Sequence, residues 1–137
     1  MLLKGSKTKR LWANLYNGIG GHVEKNECIH SAAKRELFEE TGLQINQLHT
    51  CGTIMVDASE DIGICIFVMK GFYDGGKVLN SDEGELFWMA MTELENLPLV
   101  EDLPMILPVV DKWQKGDACF AARSYYFEDK LKVVFEK

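Results

Sequence analysis

The sequence predicts an α/β (α+β) fold, a mixed sheet with flanking helices in one domain spanning residues 1–137. Three observations carry that expectation. Residues 29–41 space apolar side chains as a helix does and stop at a glycine. Residues 64–69 are apolar without alternation, as in a strand buried on both faces. Residues 118–127 and 131–135 read as a closing hairpin. Sheet and helix periodicities interleave, and no repeat, low-complexity tract or linker divides the chain.

Taken in order, residues 11–17 mix aromatic and aliphatic side chains and suit a short strand. Asn17-Gly18-Ile19-Gly20-Gly21 follows, where glycines permit close backbone approaches. For the helix over 29–41, Asn26 is the candidate N-cap, because Cys28 stands where Ser or Thr would serve better. Gly42 suits the C′ position. Strands are expected over 48–57 and 64–72, then a turn at Asp74-Gly75-Gly76 and a strand over 85–90. A short helix over 92–96 precedes a second over 102–113, whose first turns Pro104 and Pro108 make irregular.

Composition narrows the function classes. A chain of 137 residues, 47% hydrophobic, needs no disulfide or zinc staple to hold a core. Its formal charge is −6, with 21 acidic against 15 basic side chains, which argues against a partner that is a nucleic acid polymer. A nucleotide substrate remains open, because clustered carboxylates can hold a divalent cation against phosphate. Cys28, Cys51, Cys65 and Cys119 are scattered without a CxxC pair, so reduced thiols and a cytoplasmic location are expected. No run approaches the roughly 18 apolar residues of a membrane span. The opening Met1-Leu2-Leu3-Lys4 is too short for a signal peptide.

The chemistry concentrates between Gly21 and Leu43. On a helix, Glu36, Glu39 and Glu40 are three and four residues apart, so their carboxylates are expected to converge on one side. The plain alternative is a solvated acidic face. A wheel at about 100° per residue counts against it. Ile29, Ala32, Ala33 and Leu37 define the inward arc, and Glu36 and Glu40 fall within it. Like charges held there repel and lose hydration unless a cation compensates them. Oxygen-only ligands favour Mg²⁺ or Mn²⁺ over zinc. Phe38 and Lys34 face the other way.

This arrangement resembles the Nudix box, G-x5-E-x7-R-E-U-x-E-E-x-G-U with U aliphatic. Gly21, Glu27, Arg35, Glu36, Leu37, Glu39, Glu40, Gly42 and Leu43 match every position. At average residue frequencies a chance match is below about one in a million. The resemblance implies the family's α/β/α sandwich and a hydrolase of nucleoside diphosphates linked to another moiety. It implies a cation, Mg²⁺ or Mn²⁺, held by Glu36, Glu39 and Glu40 with the carbonyl of Gly20 nearby, and Arg35 paired with Glu27 as a brace. A further carboxylate, ligand or base, is implied near Ser81-Asp82-Glu83-Gly84-Glu85, with Glu83 first and Glu85 second. The alternative is that these are ordinary loop charges.

The residues ahead of the box, Tyr16 to Glu24, look like the W-N-G-x-G-G-K-V-E run of MutT-like enzymes that remove oxidised purine nucleoside triphosphates. That resemblance makes Asn17 a candidate base contact and Glu101 and Asp102 a candidate purine-reading pair. Against these stand two plain readings, an Asn-Gly turn and an N-cap for the following helix. The expected reaction is hydrolysis of a nucleoside triphosphate, 8-oxo-dGTP-like among the candidates, to monophosphate and pyrophosphate. The alternatives are another nucleoside-diphosphate derivative, or a sensor that binds a nucleotide without cleaving it.

Departures bear on the base. His22 replaces the usual lysine, and Val56 and Ala58 stand where eukaryotic members place aromatic rings. Asp57 to Ile62 contains neither the proline of ADP-ribose enzymes nor the tyrosine of dinucleoside-polyphosphate enzymes. Family members also run a full strand into the residues matching Leu2-Leu3-Lys4, whereas here the N-terminal strand is expected to be cut short. Three explanations stay open: a sheet lacking part of an edge, a neighbouring chain filling it, or a natural start further upstream. An exposed edge invites pairing, which makes a homodimer a candidate assembly.

Overall fold

A computed structural model describes residues 1–7, 12–73, 75, 78–79 and 84–136. Among the described residues seven strands and two α-helices follow one another: β1 (Leu2–Gly5), β2 (Tyr16–Asn17), α1 (Ile29–Thr41), β3 (Leu48–Asp57), β4 (Gly63–Gly71), β5 (Gly84–Phe87), α2 (Leu103–Lys112), β6 (Phe120–Phe127) and β7 (Lys130–Phe135). A 3₁₀ segment, Met91–Asn96, precedes α2. The strands form two sheets, β2-β1-β5 and β4-β3-β6-β7. The larger is mixed, because β3 and β6 run parallel while its other pairs are antiparallel.

One helix ties the sheets together. α2 sends Leu103 into a cluster with Leu2 and Tyr16 beside the small sheet, and Ile106 into a cluster with Ile54 and Ala122 on the large one. Those residues are three apart, so a single turn of α2 is apolar toward both. Its end is held from β4. Lys70 Nζ donates to the carbonyls of Val110, Asp111 and Trp113 at 2.9, 2.8 and 2.8 Å. A cation there satisfies orphan carbonyls at the negative end of the helix dipole.

The long periodic segments form the expected elements, and several local expectations are corrected. Cys28, not Asn26, occupies the N-cap of α1 and makes no side-chain cap bond. Asn26 instead takes φ +70° and turns the chain ahead of the helix. At the other end Gly42 adopts φ +71° and its N–H closes on the Phe38 carbonyl at 2.7 Å, a left-handed cap. Residues 11–17 do not form one strand: Trp12 and Asn14 have φ +57° and +59°, so only Tyr16–Asn17 is extended, and Leu11 lies outside the described residues. The expected turn at 74–76 also falls partly outside them. The strand expected over 85–90 ends at Phe87.

β4 is the largest correction. It is an edge strand of its sheet, and Ile64, Ile66 and Phe67 are 51%, 41% and 42% exposed, not buried on both faces. Only its second half, from Val68 on, is drawn under cover, Val68 against the Ile106 cluster. No helix among the described residues is long and apolar enough to cross a membrane.

Candidate active site

Nearly all of the box geometry follows from Arg35. From the middle of α1, its guanidinium reaches back to the loop ahead of the helix. Nε and an Nη donate to the two Glu27 oxygens at 3.2 and 2.6 Å, and the same Nη donates to the His22 carbonyl at 3.0 Å. This fork-to-carboxylate pairing fixes orientation as well as energy. Glu27 also accepts the Glu24 N–H at 2.7 Å. The Arg35 hydrogen bonds, then that of Glu24, hold the Glu27 carboxyl below the usual carboxylate range. Glu27 and Glu36 in turn push the guanidinium further up.

The loop so fastened lays Gly20 and Gly21 against α1. A Cβ on Gly21 would stand 2.3 Å from the Glu36 carboxyl carbon, so that carboxylate fills the space a side chain would take. The Gly20 N–H donates to Glu40 Oε2 at 3.2 Å. Glu36 and Glu40, one turn apart, therefore both touch the glycine pair. Glu40 is buried, at 6% exposure, as the helical wheel required.

Glu39 departs from this pattern. The other Arg35 Nη lies 2.7 Å from Glu36 and 3.2 Å from Glu39, whose side chain is 56% exposed. Among the described residues no three His, Cys, Asp or Glu side chains gather closely enough to hold an ion. The expected convergence of three carboxylates is thus corrected to two at the glycine pair and one turned outward. Arg35, next to Glu36 and four residues before Glu39, links that outward carboxylate to Glu36 through one shared nitrogen, whereas Glu40 turns to the Gly20 N–H. The donor set nonetheless fits a hard divalent cation. Glu36, Glu40, Glu39 and the Gly20 carbonyl offer oxygen alone, and the Gly20–Gly21 backbone leaves no side chain between them.

A second group lies along the same loop. Tyr16 N–H donates to the Pro98 carbonyl at 2.9 Å, and the Val100 N–H donates to the Tyr16 carbonyl at 3.0 Å. That parallel bridge sets Asn17 beside the segment leading into Glu101 and Asp102. Asn17 Oδ1 accepts the Gly18 N–H at 2.8 Å, so the turn reading of Asn17 describes its local bonding. Asp102 takes the N-cap position of α2 without a side-chain cap bond. Burial pushes its carboxyl up, with Glu101 adding to the shift.

Sequence reading missed Tyr126, whose hydroxyl donates to Glu101 Oε2. Its signal was the alternation of β6, where Ala122 and Ser124 point to the buried face and Tyr126 continues that series. Glu83 lies outside the described residues, while Glu85 is exposed on β5 opposite Lys4. His30 and Phe38 are exposed on α1, and His49 rests against Trp113, ring centroids 6.4 Å apart.

Comparison with known families bears on the same residues. The NUDIX domain family matches residues 1–122, which contain the box and the whole α1 site. The chain belongs to the Nudix family. It is 33% identical over 96 residues to the zebrafish (Danio rerio) oxidized purine nucleoside triphosphate hydrolase, covering 68% of this chain and 60% of that protein. It is 33% identical over 106 residues to the mouse (Mus musculus) protein of the same name, covering 75% and 65%. The Nudix chain thus spans under two thirds of either relative. Among solved structures, the MutT protein of Bacillus halodurans superposes with a TM-score of 0.80 at 23% identity, covering 98% of this chain and 88% of that one. This Nudix domain therefore has the MutT-type fold, with its mixed sheet and helices.

Proposed function

We propose that this Nudix domain is a metal-dependent pyrophosphohydrolase of purine nucleoside triphosphates, releasing the monophosphate and pyrophosphate. One observation carries the reading. The Gly20–Gly21 backbone lies against Glu36 and Glu40, held there by the Arg35–Glu27 pair. Only Gly18 and Ile19 separate Gly20 from Asn17, a reach of about 11 Å at most over three steps. One loop thus runs from an acidic site suited to a cation and phosphates to a polar site suited to a base.

Mg²⁺ or Mn²⁺, when bound, supplies positive charge against phosphate oxygens and acidifies water at the site. Glu36, Glu40, Glu39 and the Gly20 carbonyl would hold it. Arg35 and Glu27 keep the loop and helix in register, acting through the ligands. In hydrolysis the water oxygen forms a bond to phosphorus and the anhydride P–O bond breaks. Pyrophosphate leaves with the electron pair, and the water proton passes to a carboxylate. At the other end Asn17, Glu101 and Asp102 offer amide and carboxyl groups that match a purine edge. The names of the zebrafish and mouse relatives support oxidised purines as substrates. Val56 and Ile64, partners across β3 and β4, add an apolar wall on the face that Ser124 and Tyr126 share.

The test is turnover of a nucleoside triphosphate panel with Mg²⁺, products identified. Hydrolysis of purine members, lost in Glu40→Gln, is expected. No turnover of any member, with wild type and Glu40→Gln equally inert, sinks the reading.

A further inference from the structure

A carboxylate in an exposed turn samples many orientations, and a ligand must stop that motion at an entropic cost. Glu101 stands in such a turn, yet is restrained from two sides. The bridge between Tyr16 and residues 98–100 fixes the backbone just before it. The Tyr126 hydroxyl, 25 residues on, fixes its side chain by donating to Oε2. Tyr126 sits on a stiff support. It pairs with Leu131 across the β6–β7 hairpin. The two-residue turn of that hairpin, Glu128-Asp129, has φ +48° and +58°, the sense that matches strand twist. A tyrosine phenol is protonated at neutral pH and so donates, and its hydrogen bond to Glu101 pushes its pKa further up. With Oε2 engaged by this donor, Oε1 keeps its lone pairs for a ligand.

We propose that Tyr126 is a positioning residue for base discrimination: it orients Glu101 so that Oε1 accepts an N–H from a purine edge. The inference rests on the reading of Asn17, Glu101 and Asp102 as the base site. Tyr126 takes no part in the chemistry at phosphorus, so its effect falls on KM and leaves kcat alone.

Steady-state kinetics with Mg²⁺ on wild type, Tyr126→Phe, Glu101→Gln and Asp102→Asn test it. The probes are dGTP, 8-oxo-dGTP and the deoxynucleoside triphosphate of unsubstituted purine, whose base carries no N–H donor. Tyr126→Phe keeps the ring and removes only the hydroxyl. It should raise KM for the two guanine substrates about three- to tenfold, the worth of one oriented hydrogen bond. KM for the unsubstituted purine and kcat for all three should stay put. A purely structural role would lower kcat/KM for every substrate alike. An unchanged guanine-to-purine ratio in Tyr126→Phe therefore overturns the inference. If Glu101→Gln and Asp102→Asn shift that ratio while Tyr126→Phe does not, the inference alone falls. If none of the three shifts it, the base site falls too. Dissociation constants measured with Ca²⁺ give the same ratio without turnover, and failure of all three probes to bind also overturns it.

Discussion

Among the described residues Arg35 makes five hydrogen bonds, two to Glu27 and one each to His22, Glu36 and Glu39, and so turns a sequence pattern into a site. Removing its main partner has a pH signature. Because the folded carboxyl of Glu27 lies below its unfolded value, the pair's stability is present above the ordinary carboxylate range. It is lost as pH falls through that range toward the lower folded value. Thermal unfolding followed from pH 7 to pH 3 should therefore fall less steeply in Glu27→Gln than in wild type. Equal slopes would show that the pair carries no linkage. Gly21→Ala tests the other side of the loop. The new methyl meets the Glu36 carboxyl, the mobile end of a side chain, so the fold tolerates it while the carboxylate is displaced. Activity should drop at least about tenfold, since small misplacements at a site are costly, with Tm nearly unchanged. Retained activity would contradict the placement of Glu36 at the glycine pair.

Among the elements, α2 is the joint between the two sheets, and its C-terminus depends on a strand. Lys70 reaches three carbonyls there, although no helix-end signal in residues 102–113 announces a cap from β4. Lys70→Met keeps the aliphatic stem and removes the charge. It should destabilise the protein by about 1–3 kcal/mol, the range for charged hydrogen bonds left unmade, read by urea unfolding. A loss under a few tenths would mean that water serves those carbonyls as well. The same strand shows why an apolar run does not announce its depth. Residues 64–69 carry no charge whether covered or not, and only α2 over Val68 distinguishes the covered half from the exposed one.

For the whole molecule, cation binding and folding are one equilibrium. Glu36 and Glu40 meet at the glycine pair, Glu40 buried, so a divalent cation bound there adds attraction that the unfolded chain lacks. A cation at ten times its Kd should then add about 1.4 kcal/mol, roughly 4 °C in Tm for a chain of this size. Differential scanning calorimetry with and without Mg²⁺ measures it, with Glu40→Gln as the control that should not respond. A Tm indifferent to Mg²⁺ and Mn²⁺ would remove the cation from the site.

The sequence by itself determined the helix from 29 to 41, its glycine stop, the strand from 48 to 57, the C-terminal hairpin and the box that names the family. All of these depend on neighbours within a turn or a pleat, where spacing dictates geometry. Three matters were settled only by tertiary structure. Arg35 divides its bonds between a loop and a helix, one nitrogen bridging Glu36 and Glu39 while Glu40 goes to the Gly20 N–H. Tyr16 bonds to residues 98 and 100, which sets its strand beside the segment leading into Glu101 and Asp102. Tyr126 reaches Glu101 across 25 residues of chain. Spacing is silent on such pairings, because they are chosen by which surfaces the packed sheets and α2 bring within a hydrogen bond's length.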